Sequence, residues 1–185
     1  MAYENSLNYE SQGGAAWVVG GTLTVPGSLD VTGTFKLNGN SGSPVYAAEV
    51  TYTETTGAGT YTGSVTLPAG ATVVDIIVNG VALWTASTSA TLKVGDVGDD
   101  DGFYTAVDLK ATDLLAGESL SFALAGGKAG AYIANSQVSP RYSATSRVIS
   151  GVVTTVGAAG SAGRTRMTVI WTLPLAANIT AATKA

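Results

Sequence analysis

Apolar positions recur on a fixed beat between residues 21 and 38. Three hexads follow one another, GTLTVP, GSLDVT and GTFKLN, opened by Gly21, Gly27 and Gly33, and Gly39 marks the next beat. The third residue of each is large and apolar (Leu23, Leu29, Phe35), and so is the fifth (Val25, Val31, Leu37). Alternation at period two predicts a strand with one apolar edge, because successive side chains point to opposite faces. A glycine every sixth residue lets the backbone turn or approach another chain closely. Hexapeptide periods belong to β-solenoids and fibrous shafts. Six apolar side chains are too few to offset the ordering of eighteen residues. The strip formed by Leu23, Val25, Leu29, Val31, Phe35 and Leu37 is therefore expected to be covered, either by copies from several subunits wrapping together or by a larger partner surface.

Beyond the hexads, NGNSGSP (38–44) is a loop by its Gly, Asn, Ser and Pro content. The rest of the chain reads as short β signals separated by turns. Strands are predicted at Val45–Thr53, Thr60–Leu67, 71–78, 81–85, 90–94, 103–109, 119–124, Arg147–Val156 and 165–173. Asn79-Gly80 is a strong two-residue hairpin signal, with 81–85 as the return strand. GAAGSAG (157–163) reads as a hairpin loop joining the last two strands. In the last strand Thr165, Met167, Val169, Trp171 and Leu173 share one face. Residues 106–117 have the composition for a turn or two of helix. Eight or nine short strands separated by turns predict an all-β fold, an antiparallel β-sandwich or jelly roll over 45–185. The hexad-repeat β-shaft at 21–40 precedes it. Residues 1–20, with Tyr3, Tyr9 and Trp17 among small polar residues, read as an extended N-terminal arm with aromatic anchors.

Composition narrows the function. Of 185 residues, 45% are apolar and only 12% charged, about half the usual charged fraction. Such a surface suits a β-rich protein partly covered by neighbours. The absence of Cys excludes disulfides and thiolate metal sites. The absence of His removes the commonest general base and metal ligand. The polar, acidic N-terminus is no signal peptide, and no apolar run reaches the ~20 residues of a membrane span. A soluble protein made in the cytoplasm, with no membrane partner, is expected. Charge is lopsided: residues 1–118 hold all thirteen acids against three lysines, whereas 119–185 hold six basic residues and no acid. Arg141, Arg147, Arg164 and Arg166 thus have no local counter-charge, so their partners are expected on another segment or another chain. The patch lacks interleaved aromatics, and no nucleic-acid partner is expected.

Candidate chemistry is sparse. The densest acidic run is Asp96-Val-Gly-Asp-Asp-Asp-Gly102, followed by Asp108. A calcium-loop frame on Asp99, Asp101, Gly102 and Asp108 puts Val97 at the first ligand position, where no side chain can ligate. The run reads as a turn between strands, with no metal. Glu49, Glu54, Asp75 and Glu118 are isolated, and nothing pairs them as a glycosidase requires. Asp75, inside an apolar strand, is expected to face solvent or to partner an arginine. No serine has a base to activate it, and no phosphate loop is present. No catalytic residues and no cofactor are expected.

The stretch LPAGATVVDIIVNGVALWTASTSATLKVGDVGDDDGFYTAVDLKATDLLAGESLSF (67–122) resembles small virion proteins of tailed bacteriophages. GGTLTVPGSLDVTGTFKLNG is similar to the short β-shafts of trimeric phage fibres, spikes and head decorations. The resemblance implies a homotrimer made in the host cytoplasm and carried on the virion. A single β domain of this size implies a capsid decoration (cement) protein bridging neighbouring major capsid subunits. Tyr3, Tyr9, Trp17, Arg141, Arg147, Arg164 and Arg166 are the expected capsid-binding residues. The alternative is a tail-fibre or receptor-binding module recognising host surface glycan. A cellular adhesin or pilin-like module would need a secretion signal.

Overall fold

The computed structural model describes residues 45–134, 140–158 and 160–173, together with the backbone of four short strands before residue 45. These four are β1 (Asn8–Glu10), β2 (Trp17–Val19), β3 (Lys36–Leu37) and β4 (Asn40–Ser41). Then come β5 (Val45–Thr53), β6 (Thr60–Leu67), β7 (Thr72–Ala82), β8 (Ser89–Gly95), β9 (Tyr104–Asp108), β10 (Ser119–Leu120), β11 (Arg147–Val156) and β12 (Arg164–Thr172). Among the described residues, helix is limited to the 3-10 turns Phe122–Leu124 and Gly126–Lys128 and the four-residue α1 (Ala131–Ala134).

The chain divides into two compact units, Met1–Thr34 and Phe35–Ala185. In the first, β1 pairs antiparallel with β2, Tyr9 opposite Val18 and Glu10 opposite Trp17. The expected arm thus contains a short fold-back. The hexad positions Leu23, Val25, Leu29, Val31 and Phe35 lie outside the described residues. In the second unit Leu37 belongs to β3, which pairs with β4, so the predicted 38–44 loop includes a short return strand.

The second unit is an all-β sandwich of two four-stranded antiparallel sheets, ordered β10-β7-β12-β5 and β6-β11-β8-β9. Every connection from β5 onward crosses between the sheets except β8–β9, which is a hairpin within one sheet. The sequence dictates this layering through alternation. In β11 Ile149, Gly151, Val153 and Thr155 are buried, while Val148, Thr154 and Val156 are exposed. In β12 Thr165, Met167 and Val169 face in, as the shared-face reading expects. Leu67, Leu92, Val94 and Val107 of one sheet meet Tyr52, Val73, Ile76 and Val78 of the other. Tyr104 ties the layers, its buried hydroxyl donating to Ile76 O at 2.5 Å.

A paired glycine hole shapes the centre. Gly63 of β6 lies opposite Gly151 of β11. A Cβ on Gly151 would lie 2.2 Å from Tyr52 Oη, and one on Gly63 2.2 Å from Val50 Cγ1. Two bare backbones therefore admit the Tyr52 ring, whose hydroxyl donates to Gly63 O at 3.3 Å.

Several local expectations are overturned. Asn79-Gly80 is no hairpin, because β7 runs straight through it to Ala82. Gly80 is needed for another reason: a Cβ there would sit 2.1 Å from Leu115 O, and its N–H and C=O bond Glu118 O and Gly117 N. With no return strand, Trp84 instead lies buried over Gly163 and donates from Nε1 to Thr165 Oγ1 at 2.8 Å. The 157–163 loop is no hairpin either, since β11 and β12 belong to opposite sheets. The 119–124 strand stops after Leu120, and the chain turns into a 3-10 turn. Residues 106–108 end β9 and 109–117 form turns, so the expected helix is not there. Asp113 caps the Asp108 N–H at 2.7 Å and pairs with Lys128 at 2.8 Å.

Candidate functional site

A cleft of about 400 Å³ lies at the junction of the β8–β9 loop, α1 and the start of β11. Its geometry begins at Gly95, where a Cβ would lie 2.0 Å from Asp99 O. The bare backbone lets residues 96–101 fold back tightly, with Asp96 N donating to Asp99 O at 2.9 Å. The Asp96 side chain then caps the turn, its Oδ1 accepting from Gly98 N at 2.9 Å and Asp99 N at 3.1 Å. Tyr132 of α1 lies over Gly102, where a Cβ would meet its ring at 2.5 Å, and donates its hydroxyl to Asp96 Oδ1 at 3.0 Å. Arg147, the first residue of β11, closes the cluster, donating from Nε to Asp96 Oδ2 at 2.6 Å and from Nη1 to Pro140 O at 2.5 Å. Its guanidinium stands 5.1 Å from the Phe103 ring centre and 5.2 Å from that of Tyr132, within cation–π range.

Burial decides what this arrangement does. The Arg147 and Asp96 side chains are only 10% and 11% exposed. Burial by itself would raise the Asp96 carboxyl. The Gly98 N–H, the Tyr132 hydroxyl, the Arg147 guanidinium and the Asp99 N–H outweigh it and hold the group below its ordinary range. Burial and the bond to Asp96 push the Tyr132 phenol up. Asp96 is thus an ionised, saturated acceptor at neutral pH. It serves as a staple between loop, helix and strand, and not as a proton-transfer group. The cleft walls are Tyr142, 60% exposed, with Val97, Val148, Ser143 and Thr145.

Of the four arginines expected at a capsid interface, the structure brings together only two. Arg147 has its counter-charge on another segment of its own chain, at Asp96. Arg141 places its guanidinium 4.6 Å from the Phe122 ring centre. Arg164 and Arg166 both lie exposed on the outer face of the β10-β7-β12-β5 sheet. There Arg166 reaches Glu49 at 3.8 Å and Asn79 Oδ1 at 3.4 Å. The side chains of Tyr3, Tyr9 and Trp17 lie outside the described residues.

The acidic run is organised as a turn. The carboxylates of Asp99, Asp100 and Asp101 lie within 4.8 Å of one another. Lys93 answers two of them, at 3.4 Å from Asp100 and 3.7 Å from Asp101. Asp108 does not join this group. It caps the following turn, accepting from Lys110 N at 2.7 Å and Ala111 N at 3.1 Å. Asp75, expected in solvent or beside an arginine, is half-buried and accepts from two backbone amides, Ile76 N at 2.8 Å and Phe122 N at 2.9 Å.

Sequence reasoning missed Glu54, which is 2% exposed. Its carboxylate accepts from Thr85 N at 3.0 Å, Thr85 Oγ1 at 2.7 Å and Gly163 N at 2.9 Å, all uncharged donors. It joins the ends of β5, β7 and β12. Burial would raise its carboxyl, but these hydrogen bonds hold it below the usual glutamate range. The donors come from segments 31 and 109 residues away, so no local signal announces them.

No protein family model and no curated protein matches the chain. Solved structures that resemble it include two phage capsid chains. One is a chain of the acidic stable capsid structure of Helicobacter pylori bacteriophage KHP30, 18% identical, covering 70% of this chain and 88% of its own, at a TM-score of 0.47. The other is a chain of the cyanophage Pam1 capsid asymmetric unit, 23% identical, covering 81% of this chain and 100% of its own, at a TM-score of 0.46.

Proposed function

We propose that this chain is a non-enzymatic virion structural protein, a capsid decoration protein that trimerises and bridges neighbouring major capsid subunits. The observation that carries the reading is how its reactive groups are spent. Asp96 and Arg147 satisfy each other, Asp113 pairs with Lys128, and Glu54 is filled by three donors from its own chain. What the sandwich presents outward is broad sheet surface, suited to packing against other chains. The strand order supports a jelly roll, which consists of two sheets, eight strands and two Greek keys. Counting β5 as first and β12 as eighth, the sheets run sixth-third-eighth-first and second-seventh-fourth-fifth.

Trimerisation rests on the hexad strip, and attachment on the arm with Tyr3, Tyr9 and Trp17 and on the exposed Arg164 and Arg166. Aromatics filling pockets dominate interface energetics, and many weak copies across subunit junctions stabilise a shell by multivalency. The test is fractionation of virions by mass spectrometry. Stoichiometric recovery with full heads is expected. Recovery as a few copies with tails, or binding of the purified protein to host surface glycan, replaces this reading with the receptor-binding one.

A further inference from the structure

Sheet edges left bare recruit other strands, and natural proteins blunt them with short edges, bulges, prolines or charges. Three of the four edges of this sandwich carry such a device. β10 is only two residues long. β9 has a register shift against β8, and its Ala106 stands at φ +33°. β5 carries the outward, exposed Glu49. The fourth edge, β6, carries none. Its eight residues, TYTGSVTL, contain no charge and no proline, and they pair with β11 from Thr60↔Thr154 to Leu67↔Arg147 without a register shift. Among the described residues no strand covers its other side. Thr60, Thr62, Ser64 and Thr66 are all exposed.

We propose that β6 is an assembly edge completed by β6 of a second copy, antiparallel about a two-fold axis at Gly63. Side-chain alternation restricts the register to same-face pairings, and among these centring on Gly63 sets the bare glycine backbone against its own copy. A slip of one residue would set the exposed row of one copy against the buried row of the other. Centring on Gly63 places Thr60 opposite Thr66, Thr62 opposite Ser64 and Tyr61 opposite Val65. The uncharged strand lets two copies meet without like-charge repulsion, and Thr–Thr and Thr–Ser pairs are favourable across an antiparallel ladder. Seven paired residues give a contact about 23 Å long at ~3.3 Å each. That is a small interface, effective through repetition in an assembly and weak for a lone pair. It is a different surface from the hexads, and it links copies whichever virion part they occupy.

The chain contains no cysteine, so introduced thiols report cleanly. Thr62→Cys and Ser64→Cys variants are purified separately, mixed at high concentration and oxidised. Opposed residues in an antiparallel ladder have Cα atoms about 4.5–5.5 Å apart, within disulfide reach. A covalent dimer is expected in the mixture and is lost in either variant alone, and the cross-linking stops at dimer. The same mixture made with Leu29→Asp/Val31→Asp should still cross-link, which separates this edge from the trimer. A Thr62→Lys/Ser64→Lys variant should lower the mass of the largest species in light scattering at high concentration, with its melting temperature unchanged. Cross-linking no greater than that of a Thr51→Cys and Thr53→Cys mixture on β5, or an unchanged mass in the lysine variant, overturns the proposal.

Discussion

Glu54 is the sharpest point at which to perturb the sandwich. Replacing it with alanine removes the acceptor for two backbone N–H groups, of Thr85 and Gly163, and for the Thr85 hydroxyl. Each buried donor left unsatisfied costs about 1–3 kcal/mol, and breaking a buried charged network costs about 3–5 kcal/mol. Glu54→Ala should therefore lose about 3–5 kcal/mol. At roughly 2–4 °C per kcal/mol for a chain of this size, its Tm should fall by about 6–20 °C. Glu54→Gln keeps the shape and one acceptor but loses the charge assistance, for about 1–2 kcal/mol. The pH dependence carries the physical test. The folded carboxyl is held below its ordinary range. Its contribution is thus present above the unfolded value and is lost as pH falls through the folded one. Circular-dichroism melts of wild type and Glu54→Gln at about pH 7 and about pH 3 should show the gap between them closing in acid, while Asp96 and Asp113 affect both proteins equally. A gap that is the same at both pH values, or a Glu54→Ala variant melting within about 2 °C of wild type, refutes the reasoning.

Gly151→Ala should destabilise by about 1–3 kcal/mol by overpacking, because the new Cβ would meet Tyr52 Oη at 2.2 Å. Adding Tyr52→Phe removes that oxygen, so a double-mutant cycle by chemical denaturation should show the two changes to be non-additive. Millimolar calcium or a chelator should leave the Tm unchanged, since Lys93 already answers Asp100 and Asp101. Binding at a hundredfold excess over Kd would instead add about 2.7 kcal/mol. Leu29→Asp with Val31→Asp should dissociate the trimer in sedimentation velocity, and a monomeric wild type counts against the hexad interface. Deleting residues 2–17 should leave the sandwich Tm in place but abolish incorporation into heads. Equal decoration by the truncated protein counts against the arm.

Periodicity alone determined where the strands lie and which of their faces are buried. The bounds of β5, β6 and β11 were legible because alternating apolar and polar side chains, bracketed by glycine-rich turns, satisfy a half-buried strand wherever it lies in the sandwich. The turn character of the acidic run was equally local, since Asp96 and Asp99 cap amides within three residues of themselves. What failed was every inference about which strand meets which. Asn79-Gly80 has hairpin chemistry, yet Gly80 was required by the backbone of Leu115, a neighbour supplied by the fold and not by the adjacent sequence. The 157–163 loop looks like a hairpin because its length is compatible with one, but burying the apolar faces of two sheets sends β11 and β12 into opposite layers. The same holds for the charges. Arg147 seemed to lack a counter-ion until folding carried Asp96 to it across 51 residues, and Glu54 seemed unremarked until three donors converged on it. Alternation is set by each strand's own side chains, whereas register, crossing and ion pairing are set by how the whole core closes. Only the tertiary structure decided those.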